Sequence, residues 1–302
     1  AHPAYLSMLA LVLAGAFAKS AQFPLHFWLP HAMAAPTPVS AFLHSATMVK
    51  AGVFLLARLH PAIAGTETWF YVVTSAGLAT LVIGAWTAVF QHDLKGLLAW
   101  STISHLGLIT LLLGLDTPLA SVAAVFHILN HATFKASLFM AAGIIDHECG
   151  TRDMRRINGL WKYMPVTAVL AIVAALAMAG VPLLNGFLSK EIFFAETLQI
   201  DRFHAFRIIV PLAATVAAAL SVAYSVRFIH DVFWNGEPYD LASTPHSPPF
   251  WMMVPSALLA LLCAGQAASA QLAITEVMSS AANTHAGATV TPESDFWELT
   301  NF

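Results

Sequence analysis

The chain has 302 residues, of which 58% are hydrophobic and only 10% charged, against about a quarter charged in soluble domains. With a mean hydropathy of +0.73, it excludes a pair of soluble domains and points to a bundle of membrane-spanning helices. The net charge of −3 argues against a nucleic-acid partner. Cys149 in a loop and Cys263 in an apolar span make neither a disulfide framework nor a metal pair. The chain opens Ala1-His2-Pro3, without an initiator Met or a signal peptide, so it is expected to be the middle or end of a longer polypeptide.

Eight apolar segments follow in order, most with room for the ~20 residues a spanning helix needs. They run from about Ala4 to Met33, Val39 to Leu59, Trp69 to Phe90, Leu97 to Leu115, Pro118 to Ile145, Val166 to Leu198, Phe206 to Phe233 and Phe250 to Ala273. The first is interrupted near Lys19–Pro30 and the sixth at Gly180–Gly186, where Pro and Gly fall in mid-run as they do in discontinuous helices. The prediction is an all-α polytopic membrane domain over residues 1–275 with two discontinuous segments, and a polar tail, or the start of a continuation, over 276–302. The loop Asp146–Tyr163 holds Arg152, Arg155, Arg156 and Lys162, so the positive-inside rule makes it cytoplasmic, together with the Lys95 loop and the loop Asp231–Pro249.

Four of the six lysines, Lys19, Lys50, Lys135 and Lys190, lie inside apolar segments, and only Lys95 and Lys162 lie in loops. Snorkelling would explain Lys50 and Lys190 if they sit near helix ends, but it fits Lys135 poorly. Ionisable groups at bilayer depth are costly and mark ion or proton paths. A lysine withdrawn from water can give up its proton near neutral pH, as an exposed one cannot. Within the apolar segments only Glu191 and Glu196 could serve as acidic partners, both near Lys190.

His44, His105, His127 and His131 also sit in apolar runs. His127, His131 and Lys135 are four apart, so on a helix they share one face at rises of about 6 Å. Such steps exceed a hydrogen bond, so hydroxyls such as those of Ser101, Thr102, Ser104 and Thr133, or waters, must bridge them. A histidine can take a proton on one nitrogen while giving one from the other. Taken alone, His44 or His105 is better read as an interhelical hydrogen bond. His127 and His131 could in principle ligate zinc, but Lys135 one turn on repels a cation and no carboxylate or thiol in these helices completes the shell, so no metal is expected.

Each interrupted helix sets a Pro close to a Lys: Lys19-Ser20-Ala21-Gln22-Phe23-Pro24 in the first, and Pro182 with Asn185-Gly186-Phe187-Leu188-Ser189-Lys190-Glu191 in the sixth. Pro removes a helix hydrogen bond and frees carbonyls, and the exposed helix ends carry partial charge. With Trp28-Leu29-Pro30, Pro36-Thr37-Pro38-Val39-Ser40-Ala41, His44-Ser45-Ala46-Thr47-Met48-Val49, Ala99-Trp100-Ser101-Thr102-Ile103-Ser104 and His131-Ala132-Thr133-Phe134-Lys135-Ala136, the chain resembles the antiporter-like proton-translocating membrane subunits. These include the Mrp-type multisubunit cation/proton antiporters and the pumping subunits of respiratory complex I. The stretch Asp146–Arg156 and the run Met48-Val49-Lys50-Ala51-Gly52 are most similar to the A subunit of the Mrp type.

The resemblance implies an inverted-repeat fold with a core of fourteen helices, of which this chain would be roughly the second half. It implies a proton relay through Lys19, His44, Lys50, His127, His131, Lys135, Lys190 and Glu191. It also implies a multi-pass location in a bacterial cell membrane, partner subunits of the antiporter complex, H⁺ and Na⁺ or K⁺ as transported ions, contact with membrane lipid, and no catalytic activity of its own. The family's glutamate that pairs with the lysine at Lys19 lies upstream of Ala1.

No flavin, iron–sulfur or quinone signature appears, and no cofactor is expected. The alternatives are a pumping subunit of complex I (NADH:quinone oxidoreductase), an energy-coupling subunit for inorganic carbon uptake, and a membrane scaffold with inert buried polar groups.

Overall fold

The computed structural model describes residues 3–200, 204–241 and 243–265. The polar tail 276–302 and the end of the eighth apolar segment lie outside the described residues. Regular structure among them is helical: α1 (Tyr5–Lys19), α2 (Trp28–His31), α3 (Thr37–Ser45), α4 (Met48–Ile63), α5 (Glu67–Val89), α6 (Leu94–Leu115), α7 (Pro118–Cys149), α8 (Pro165–Ala179), α9 (Asn185–Leu198), α10 (His204–Ile229) and α11 (Phe250–Gly265). A π-helical turn, His230–Trp234, extends α10. Five stretches are long and apolar enough to cross a membrane: Thr37–Ile63, Glu67–Val89, Leu94–Leu115, Pro118–Cys149 and Ala205–Trp234.

The helix starts follow local chemistry. Asp93 and Thr117 cap α6 and α7, their side chains accepting from the N–H groups of Gly96 and Ala120. Helix α6 is buried almost along its whole length and is packed by α2, α4, α5, α7, α9 and α10. Its tightest neighbour is α5. A Cβ on Gly77 would lie 2.4 Å from the Leu111 nitrogen, and one on Gly107 would lie 2.3 Å from that of Leu81. Reciprocal small residues bring the two backbones together, which is how helices gain packing where apolar burial alone gives no preference for a neighbour over lipid.

Two features depart from the sequence reading. The second apolar segment is interrupted at Ala46–Thr47, between α3 and α4. The hydroxyls of Ser45 and Thr47 turn back onto the carbonyls of Ala41 and Phe42, competing with the main-chain ladder. Lys95, read as a loop residue, instead sits in the first turn of α6, buried, with Nζ 3.2 Å from the Ala35 carbonyl and 3.8 Å from the Asp146 carboxylate.

The loops read as cytoplasmic do lie together at one end. Main-chain bonds join Leu94 to Arg152, Met154 to His92 and Tyr239 to Arg156. Ion pairs fasten the loop before α11: Arg156–Asp240 and Lys162–Glu237, both 2.9 Å, and His246 on the buried carboxylate of Glu148. Beside them, the hydrogen bond from Arg155 holds Asp153 down to about 2.

Candidate proton-path site

The site forms where α6, α7, α9 and α10 meet. Its geometry begins with the end of α8. Gly180 adopts φ +86, which favours glycine, and closes the helix with bonds from the N–H groups of Gly180 and Val181 to Leu176. Among the described residues the carbonyls of Met178 and Ala179 have no main-chain partners, as helix ends leave them. Lys190, one turn into α9, takes both: its Nζ donates to Met178 at 2.7 Å, to Ala179 at 3.0 Å and to the Ser221 hydroxyl at 3.1 Å. The ammonium therefore caps the negative end of the α8 dipole. Gly180 is needed a second time here, because a Cβ on it would lie 2.8 Å from Cδ of Lys190.

On α7, His127 is fully buried between two hydrogen-bonding partners. Its Nε2 lies 3.0 Å from Nδ1 of His105 on α6, and its Nδ1 lies 2.8 Å from the hydroxyl of Ser189 on α9. Asn130 fixes the same junction, donating to the Asn185 carbonyl at 2.8 Å and to Ser189 at 3.3 Å. Lys135, also fully buried, donates to Ser101 and, at 3.2 Å, to the Leu98 carbonyl of α6. Lys50 on α4 reaches the Ile128 carbonyl of α7 at 2.6 Å. Among the described residues none of Lys50, Lys135 and Lys190 is paired with a carboxylate.

The remaining residues of the sequence-based set stand differently. His131 is buried with its ring 5.3 Å from that of His105 and 6.4 Å from that of His127, yet among the described residues neither ring nitrogen has a hydrogen-bond partner. His44 is buried in the same condition, stacked on Phe139 at 5.1 Å. Lys19 and Glu191 are exposed on the surface of this chain. Glu191 borders a surface groove that also reaches Lys190 and Thr215. The face of α7 thus does not run straight from His127 through His131 to Lys135. His127 connects sideways to α6 and α9, and Lys135 connects to α6.

Sequence reasoning named Ser101 as a bridge and gave His105 only an interhelical bond. It missed Ser189, Ser221 and Tyr224. Their signal is present: Ser221, Tyr224 and Ser225 form a polar stripe at helical spacing in the largely apolar α10.

Residues 2–216 match a family described as NADH:quinone oxidoreductase/Mrp antiporter, TM. The chain belongs to this family. It is 66% identical over 262 residues to a probable K(+)/H(+) antiporter A/B subunit of Rhizobium meliloti, covering 87% of this chain and 26% of that protein. It is 45% identical over 278 residues to the A subunit of the Na(+)/H(+) antiporter of Bacillus subtilis, covering 86% of this chain and 35% of that protein. The fold matches a chain in the structure of the Mrp complex from Dietzia sp. DQ12-45-1b with a TM-score of 0.80 at 42% identity, over 87% of this chain and 28% of the other. The chain thus spans about a quarter to a third of the relatives it matches. It is a multi-pass membrane protein of a bacterial membrane, as its apolar spans and bacterial relatives require.

Proposed function

We propose that the chain is the proton-translocating part of an A-type subunit of a multisubunit cation/proton antiporter, exchanging H⁺ for Na⁺ or K⁺. Protons would cross through Lys50, His127, Lys135 and Lys190, with His131 and His44 as intermediate carriers. Lys19 and Glu191 would lie at the ends, where the path meets the surface groove and the rest of the subunit. Other subunits of the complex, the transported ions and membrane lipid are its partners. The similarity to relatives named as K⁺/H⁺ and Na⁺/H⁺ antiporter subunits supports this reading.

One observation carries it: buried Lys135 and Lys190 hold carbonyls and hydroxyls instead of carboxylates. A lysine with a fixed counter-ion would be locked in its charged form. One with only neutral dipoles can lose its proton without leaving a buried anion behind. Changes of charge on one lysine also alter the proton affinity of the next, which couples the steps. The test is Lys135→Ala in the complete complex, with Na⁺- or K⁺-dependent proton exchange measured in everted vesicles. Exchange should fall by about 100-fold, the scale of losing a positioned acid–base group. Wild-type exchange in an assembled variant would end the relay reading.

A further inference from the structure

The end of the bundle where the basic loops gather holds one carboxylate unlike its neighbours. Glu148, next to last in α7, is only 2% exposed. The acids around it are matched with lysine or arginine: Asp146 with Lys95 of α6, Asp93 with Arg152, Asp153 with Arg155 and Asp231 with Arg227. Among the described residues Glu148 has imidazoles instead. Its Oε1 lies 3.1 Å from Nδ1 of His147, its neighbour on α7, and its Oε2 faces Nδ1 of His246 in the loop between α10 and α11. Both imidazoles are exposed. Helix α11 adds no Asp, Glu, Lys, Arg or His.

The loop 235–249 is laid over this end and has no regular structure among its described residues. Its first half is seated on the loop after α7. Arg156 pairs with Asp240 and Lys162 with Glu237, and a Cβ on Gly159 would lie 2.3 Å from the Gly236 carbonyl. Its second half meets α7 itself, through Ser243 on the Glu148 carbonyl and His246 on the Glu148 carboxylate. Ser247 adds a bond to the Tyr163 carbonyl at 3.2 Å. The first half is thus held by charges that persist through neutral pH, whereas the grip on α7 includes a histidine.

We propose that His246 and Glu148 form a pH-sensitive latch, which holds the second half of the 235–249 loop on α7 while the imidazole is charged and releases it when the imidazole is neutral. The proposal stands whether or not protons cross at Lys135. A buried carboxylate facing a neutral partner is an uncompensated charge, and undocking the loop returns it to water. Docking brings a cation to that carboxylate, so docking and protonation of His246 favour one another. The hold is therefore full on the acid side and is lost as pH rises through the range of about 5 to 8 in which histidines change charge. His147 belongs to α7 in either state, so it softens the burial of Glu148 without fastening the loop.

Cys149, adjacent to Glu148 and fully buried, reports on this end of α7. The experiment labels the purified complete complex with a water-soluble maleimide and reads Cys149 by peptide mass spectrometry. Each variant is compared with the wild type at the same pH, which cancels the intrinsic reactivity of the thiol. At about pH 6, His246→Gln should label at least about fivefold faster than the wild type, the low end of couplings between two binding events, and at about pH 8.5 the two should match. His246→Lys, a cation at both values, should match the wild type at the lower pH and label more slowly at the higher one. Arg156→Gln should change labelling by the same factor at both, because its charge does not titrate there.

A His246→Gln effect equal at the two pH values reduces the contact to an ordinary tie and overturns the latch. So does a His246→Lys variant that labels like the wild type at the higher pH. Where His246→Gln does not assemble, His246→Lys alone decides.

Discussion

At the end of α8, Lys190 bends back and satisfies the carbonyls of Met178 and Ala179. At the end of α1, Lys19 stands exposed and makes no hydrogen bond among the described residues, although both lysines sit beside a break that contains Pro. The difference is in who takes the orphan carbonyls. The last turn of α1 is closed without its lysine: Ser20 donates to Ala16, Gln22 to Phe17 and the Trp28 indole to Ala18, each at 2.9 Å. The chain after α1 folds back over the helix end, whereas the chain after α8 leaves through Gly180 and presents α9 instead. A broken helix with a nearby lysine is therefore not one device. The lysine becomes part of the break only where the local main chain leaves carbonyls for it.

The sharpest way to break this comparison is to remove both lysines in turn. Lys190→Met leaves two buried carbonyls unpaired, at about 1–3 kcal/mol for each unsatisfied group. It should lower the thermal midpoint of the purified complex as well as abolishing exchange. Lys19→Met should leave that midpoint unchanged, whatever it does to transport. Equal shifts in the two variants would show that the α8 end does not depend on its lysine.

A smaller contrast comes from glycine. Gly180→Ala should cost about 1–2 kcal/mol from the left-handed backbone alone, and it also pushes on the Lys190 stem. Gly15→Ala, in the interior of α1 with nothing within 4 Å of the new methyl, should stabilise slightly, by up to about 1 kcal/mol. Melting curves of the two variants in detergent test the pair, and a neutral Gly180→Ala would remove the stated reason for the α8 break.

The smallest effect is expected away from both breaks, in the loop fastened by Arg155. A carboxyl held near 2 adds stability above its ordinary range, from about pH 4 upward, and loses it as pH falls toward 2. Arg155 is exposed and Asp153 half-buried at the surface, so solvent screening keeps the cost of Asp153→Asn below about 1 kcal/mol at neutral pH. It should leave exchange untouched. Limited proteolysis of the 150–164 loop at pH 7 and pH 3 checks it: the wild type should become more susceptible at pH 3 and the variant should change less.

Much of the fold was legible because bilayer thickness and the helical rise set the length of α5, α6, α7 and α10 without reference to neighbours. The break at Ala46–Thr47 was not, since no Pro or Gly marks it and hydroxyls bonded to nearby carbonyls produce it. For the site, buried Lys135 and Lys190 could be read from charge in apolar runs. The sideways links of His127 could not, because spacing along one helix reveals only that helix's own face. Sequence spacing suggested a row along α7, whereas His105, Ser189, Ser221 and Tyr224 come from three other helices.

Sequence by itself determined that the chain spans a membrane, which ionisable groups it carries into the bilayer, and where Pro and Gly end helices. These follow from composition and from backbone chemistry that acts within a few residues. Tertiary structure decided which lysine of the apolar segments is buried and held and which is exposed, and which histidine meets which hydroxyl. Those outcomes depend on how close α5, α6, α7, α9 and α10 approach one another. Small residues set that approach at positions such as Gly77, Gly107 and Gly186, where a Cβ on Gly186 would lie 1.9 Å from the Ala177 carbonyl.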